Sequence, residues 1–223
     1  MTSRCAAVRL RSFAIFGRLC SILAFCVLLL TAAGCNVAAL ASQRLTPPPM
    51  IYAKYQPKAE PMLVLVENFD NPSVNHIGAQ QLTAQLRKEL AAHKVAPLVD
   101  ADAIDLLRDT DPAGFAKLSI PQIGQATGAK QVLYVNLQSM GLTGDGIMAR
   151  GGANGRVKIV DTATGETRWP TDTVDGYPIS LQTPVVRIDE KTSESALNQG
   201  MIQGLADQIA KLLYNHRAAE GLD

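Results

Sequence analysis

The chain has 223 residues, 47% of them hydrophobic and 5% aromatic, enough for one ordinary domain with an additional segment. Of its 21 lysines and arginines, four (Arg4, Arg9, Arg11, Arg18) lie in the first 34 residues, which hold no acid; the remaining 17 face 20 acids. So mildly acidic a body gives no electrostatic reason to expect a nucleic-acid partner. The four cysteines, Cys5, Cys20, Cys26 and Cys35, are all N-terminal, which leaves the rest of the chain without a disulfide framework or a thiolate metal site and suits an oxidising compartment.

The N-terminal stretch runs basic, then apolar from Leu19 to Leu30, then small at Thr31-Ala32-Ala33-Gly34. This is the layout of a secretory signal peptide over residues 1–34. Three outcomes are consistent with it. Gly34 and Ala33 before Cys35 resemble a lipobox, although Ala32 stands where leucine is usual; cleavage there would leave a diacylglycerol on Cys35. Ala39-Leu40-Ala41 is an A-x-A site whose use would release a soluble protein. Leu19 to Ala41, uncharged throughout, is long enough to span a bilayer uncleaved. The strongly apolar part ends near Leu30 and the A-x-A site sits far from it, which favours lipidation of Cys35. Asn36 is not the aspartate that retains many lipoproteins in the inner membrane, so an outer-membrane anchor facing the periplasm is expected.

Residues 35–61 hold Pro47-Pro48-Pro49, Pro57 and Pro61 and show no period. They read as a lipidated cysteine followed by an extended tether, or equally as a linker packed partly on the domain through Ile51, Tyr52 and Tyr55. The body, 62–217, opens with MLVLVENF (62–69), a continuous apolar run expected to be a buried parallel strand. After an Asn71-Pro72 turn, Leu82, Leu86 and Leu90 predict a helix over 75–93. Val95 to Val99 reads as a short strand, and Asp100 or Asp102 as the cap of a helix carrying Ile104, Leu106 and Leu107. A further helix is expected from Ser119-Ile120-Pro121 to Gly128, then a strand KQVLYVNLQ (130–138). GRVKIVD (155–161) and ETRWP (166–170) form a hairpin about Thr162-Ala163-Thr164-Gly165. A closing helix over about 194–216 puts Leu197, Met201, Leu205, Ile209, Leu212 and Leu213 on one face. The order β-α-β-α-α-β-β-β-α predicts an α/β domain with a mixed sheet and helices packed on it in layers.

The opening strand, IGQATGAKQVLYV (123–135 in register helix, glycine turn, strand), VKIVDTATGETRW and the final LADQIAKLL together resemble the domain shared by curli-secretion lipoproteins, the TolB N-terminal domain and the lipoprotein activators of peptidoglycan synthases. The cysteine followed by a proline-rich tether is similar to the synthase activators in particular. The resemblance implies a non-enzymatic envelope lipoprotein that binds a protein partner in envelope assembly or maintenance. The alternative is an oligomeric curli-type secretion subunit of the outer membrane. Homo-oligomerisation is compatible with either; no cofactor is implied.

Candidate chemistry is sparse. Gly144-Asp145-Gly146-Ile147-Met148-Ala149 fits G-x-G-x-x-A, but the glycine-rich stretch after it cannot form the helix that a dinucleotide site needs, so a connecting loop is expected. Asp100, Asp102 and Asp105 lack the glycine and distal glutamate of a calcium loop and read as a helix start and a solvated face. His76, His93 and His216 form no ligand spacing and read as surface residues. Asp189-Glu190 are adjacent on an extended segment, and Gly200 and Gly204 suggest close packing of the last helix on the sheet. No catalytic or metal residues are assigned. Residues 139–155 and 171–192, broken by glycines and prolines, lack the alternation of a membrane β-hairpin, so no transmembrane barrel is expected.

Overall fold

The structure is a computed structural model describing residues 48–68, 77–145, 147–188 and 193–218. The signal-peptide region, Cys35, the Asn71-Pro72 turn, His76, Gly146 and Asp189-Glu190 lie outside the described residues. Two compact units are present. In the small one, the Ala218 N–H donates to the Pro49 carbonyl at 3.0 Å. The other, Met50–His216, holds the fold.

Its elements in order are β1 (Met62–Asn68), α1 (Ile77–Ala92), α2 (Asp102–Thr110), α3 (Pro112–Phe115), α4 (Ile120–Ala126), β2 (Gln131–Gly144), β3 (Met148–Asp161), β4 (Thr167–Trp169), β5 (Tyr177–Gln182), β6 (Val186–Arg187) and α5 (Glu194–Lys211). β1 pairs in parallel with β2, Met62 opposite Gln131. β2 and β3 form a long antiparallel hairpin, and β3 carries β6, β5 and β4 in turn along its other edge. The sheet is therefore mixed, as the order of elements predicts, and has six strands.

Side-chain alternation divides the core in two. One sheet face presents Met62, Val64, Val66, Leu133, Val135, Leu137, Val157 and Ile159 to α1 and α5. Leu82, Leu86 and Leu90 of α1 and Met201, Leu205 and Ile209 of α5 are completely buried there. The other face packs Leu63, Leu65 and Val132 against Ile104, Phe115 and Ile123 of α2, α3 and α4. Helices thus sandwich the sheet in three layers, but the second helical layer covers only the β1 side.

Local chemistry sets the boundaries. Ser119 opens α4, its N–H donating to Gln122 Oε1 at 2.8 Å, and Gly128 follows the helix at φ +79°, a conformation that suits glycine. Ser193 caps α5 by accepting from the Ala196 N–H at 3.1 Å. α5 stops at Lys211 rather than near 216, because the Lys54 and Tyr55 N–H groups both donate to the Leu212 carbonyl. Of the residues expected to touch the domain, Tyr55 packs on the core beside Trp169, ring centroids 6.2 Å apart, whereas Tyr52 is 75% exposed. The segment before β1 is bound further along. Buried Gln131 donates to the Lys58 and Glu60 carbonyls, and Arg168 joins Glu60 at 3.0 Å to Asp161 at 2.6 Å.

Four expectations need correction. Val95–Val99 contracts to a single parallel bridge between Met62 and Leu98, since Pro97 has no N–H for a ladder. Ala101, not an aspartate, occupies the α2 cap, and the Asp102 N–H reaches Asp100 Oδ1 only at 3.4 Å. α3 was not anticipated, although Asp111-Pro112 announces it: the Asp111 carboxylate accepts from the Gly114 N–H at 2.9 Å with proline in the first turn. The fourth is the glycine-rich stretch after Gly144, which is not a loop but strand.

Candidate functional site

The β2–β3 hairpin is long, its ladder running to Gly144 opposite Ala149. Its tip is the G-x-G-x-x-A stretch. Asp145 Oδ1 accepts from the Ile147 and Met148 N–H groups at 2.9 and 2.7 Å, and these two amides hold its carboxyl below the usual carboxylate range. A turn into a strand replaces the helix that a dinucleotide site would need. Along β3 the buried residues are small, Ala149, Gly151, Ala153 and Gly155, and this face lies toward α5. Gly151 faces Met201, and a Cβ on Gly155 would stand 2.6 Å from the Asn136 carbonyl oxygen, at the bulge between Leu137 and Ser139. Gly204 meets Leu181 of β5, as expected of close helix-to-sheet packing; nothing approaches Gly200.

Among the described residues, no helix lies over the opposite face of the hairpin and of β5. Ser139, Asn154 and Ser180 share it: Asn154 Nδ2 donates to Ser139 Oγ at 3.1 Å and Ser180 Oγ to Asn154 Oδ1 at 2.8 Å. By register, Met148, Arg150, Arg156, Lys158, Gln182 and Arg187 lie on the same face. Arg156 Nη1 donates to the Gly176 carbonyl at 3.2 Å, and the Lys158 ammonium stands 5.5 Å over the Tyr134 ring. Among the described strand residues the face carries one carboxylate, Glu67, at its covered border. Burial holds the Glu67 carboxyl above its ordinary value, opposed by a hydrogen bond from Tyr134 and by nearby Arg108. A shallow depression of about 450 Å³ runs over Ser139, Asn154, Arg156 and Ser180. Four cations on a flat, hydrogen-bonded strand surface suit recognition of an acidic macromolecular surface better than enclosure of a small molecule.

A cleft of about 400 Å³ lies between α1 and α2 at the free edge of β1. Thr83 Oγ1 donates to the Ala79 carbonyl at 2.8 Å, while Arg108 pairs through Nη1 with Asp105 at 3.3 Å and lies 4.8 Å over Phe115; its Nε is buried without a hydrogen-bond partner among the described residues. Asp105 is thus engaged with arginine rather than gathered with Asp100 and Asp102. Among the described residues no three His, Cys, Asp or Glu side chains stand together in a metal-holding group, and no helix is long and apolar enough to cross a membrane. His93 is exposed, as expected of a surface residue, and both His93 and His216 lie against Tyr214, at 3.9 and 5.7 Å between ring centroids.

Residues 36–173, from the proline-rich segment through β4, match the family model of the peptidoglycan-synthase activator LpoB. The chain belongs to this family. No curated protein matches it. Solved structures similar to it include lipoprotein GNA1162 from Neisseria meningitidis, at 16% identity over 68% of this chain and 98% of that one, TM-score 0.42. The C-terminal domain of LpoB from Salmonella enterica is 19% identical over 56% of this chain and 82% of that one, TM-score 0.33. The PelC dodecamer from Paraburkholderia phytofirmans is 13% identical over 76% and 94%, TM-score 0.31. The LpoB family is narrower than the set of envelope domains that the sequence resembles, and lies within it.

The uncovered face was hidden from sequence reasoning because its strands are rich in glycine. The signal lay in the period: small residues at 149, 151, 153 and 155 alternate with Met148, Arg150, Asn154 and Arg156. Counting Ala and Gly as buried would have revealed a strand with a polar outer face.

Proposed function

We propose that this LpoB-family chain is a non-catalytic lipoprotein, held by acylated Cys35 in the outer membrane facing the periplasm, that activates a peptidoglycan synthase by docking on it. The docking surface is the uncovered sheet face of β2, β3 and β5. What supports this reading is that a hydrogen-bonded polar ladder, Ser139–Asn154–Ser180, is flanked by Arg150, Arg156, Lys158 and Arg187 on a face that no helix covers among the described residues. Residues 1–34 are the signal peptide and 35–49 the tether in this account.

The test is glycan polymerisation by the synthase of the same cells, with and without the full-length protein. Stimulation that is lost with Arg150→Glu plus Ser180→Trp supports the reading; a synthase indifferent to the wild-type protein refutes it.

A further inference from the structure

The end of the hairpin carries a second kind of surface. Ile147 is 60% exposed, Val185 57% and Met148 40%, all within one three-stranded tip. Single exposed apolar residues are ordinary, but a cluster rimmed by polar groups marks an interaction site. These side chains are not carried on a loose loop. The Ile188 N–H donates to the Ile147 carbonyl at 2.8 Å, Arg187 stands opposite Met148 in the ladder, and Asp145 closes the turn through two amides. Little ordering entropy remains to be lost on binding, which favours tight insertion.

Two further observations indicate the kind of partner. Arg187 and Arg150 flank Met148 on the same face, while the Asp145 carboxylate is occupied by its own backbone. Asp145 stays ionised, so among these described groups two arginines stand against one carboxylate and the rim is net cationic. In addition, residues 53–61 enter the fold beside Met62 and Gln131, and Gly144 lies 13 positions farther along β2, roughly 43 Å at ~3.3 Å per residue. The tip stands at the opposite end of the sheet from the point where residues 53–61 enter it.

We infer that the tip formed by Ile147, Met148 and Val185 inserts into an apolar, acid-rimmed pocket of the partner protein. This rests on the docking reading above and adds an insertion element to the flat face. The test uses the full-length protein in its native cells with Ile147 replaced by photoreactive benzoylphenylalanine, alongside Ile147→Asp plus Val185→Asp for affinity measurements on purified synthase. The expected results are a synthase adduct at position 147 and at least tenfold weaker binding by the double variant, with an unchanged thermal midpoint because both side chains are exposed. Unchanged affinity of the double variant overturns the insertion and leaves the docking face standing. Failure of the wild-type chain to bind the synthase overturns both. A lipid adduct at 147, with binding to phosphatidylethanolamine–phosphatidylglycerol vesicles lost in the double variant, overturns the protein pocket in favour of a membrane contact.

Discussion

Arg168 shows how single residues join separate parts of this fold. Its guanidinium bonds Asp161 at the β3 turn, Glu60 in the segment before β1, and the side chain of buried Gln131 at 3.2 Å. That hydrogen bonding, together with amides from Thr164 and Ala163, holds the Asp161 carboxyl below its ordinary value. A depressed carboxyl stabilises the folded state fully above the unfolded value, near ~3.9, and its contribution fades as pH falls through the folded value. Stability to urea should therefore fall below about pH 4, and Arg168→Met should flatten that fall, because the Asp161 carboxyl then titrates closer to its unfolded value; identical pH profiles for both proteins would contradict the assignment. Apolar residues give a simpler test. Leu86 and Leu205 are completely buried in α1 and α5. Leu86→Ala or Leu205→Ala should each cost ~2–5 kcal/mol in denaturant unfolding, and exposed Lys88→Ala less than ~0.5.

The hairpin is where the elements of this fold carry most information. Its glycines are not equivalent: a Cβ at 155 would collide with the Asn136 carbonyl oxygen, whereas nothing lies within 4 Å of one at 152. Gly155→Ala should destabilise by about 1–3 kcal/mol through a shifted backbone, and Gly152→Ala should be neutral or slightly stabilising. Equal effects in thermal unfolding would mean that the bulge is misplaced. The contrast explains what sequence could reveal. β1, α1, α4, the Asp161–Glu166 turn and the core of α5 were legible because large apolar residues or capping residues mark them. The outer half of β2 and β3 was not, because its buried side is made of alanine and glycine, which carry almost no hydrophobic periodicity. Ser139, Arg150 and Asn154 of the candidate site lie on this half and were missed with it, whereas Arg156 and Lys158 fall in the strand over 155–161 that the sequence marks. The contraction of α5 was equally hidden, since the groups that end it, the Lys54 and Tyr55 amides, come from the other end of the chain.

At the scale of the whole molecule, the layers explain the division of labour. Among the described residues α1 and α5 cover one sheet face, α2 to α4 cover the β1 side of the other, and no helix covers the remainder. In the proposed reading an acylated Cys35 and its tether hold that surface in the envelope: Cys35→Ala should leave the protein unacylated and release it from washed membranes, or leave an uncleaved precursor, both read by intact mass. An unmodified wild-type N-terminus at Ser42 would contradict the anchor. The central claim, that the open face is where a peptidoglycan synthase docks, is tested most directly by its affinity for the full-length protein. Arg150→Glu with Ser180→Trp, both at exposed positions, should weaken binding at least tenfold while the thermal midpoint holds. Wild-type affinity in that variant would contradict it.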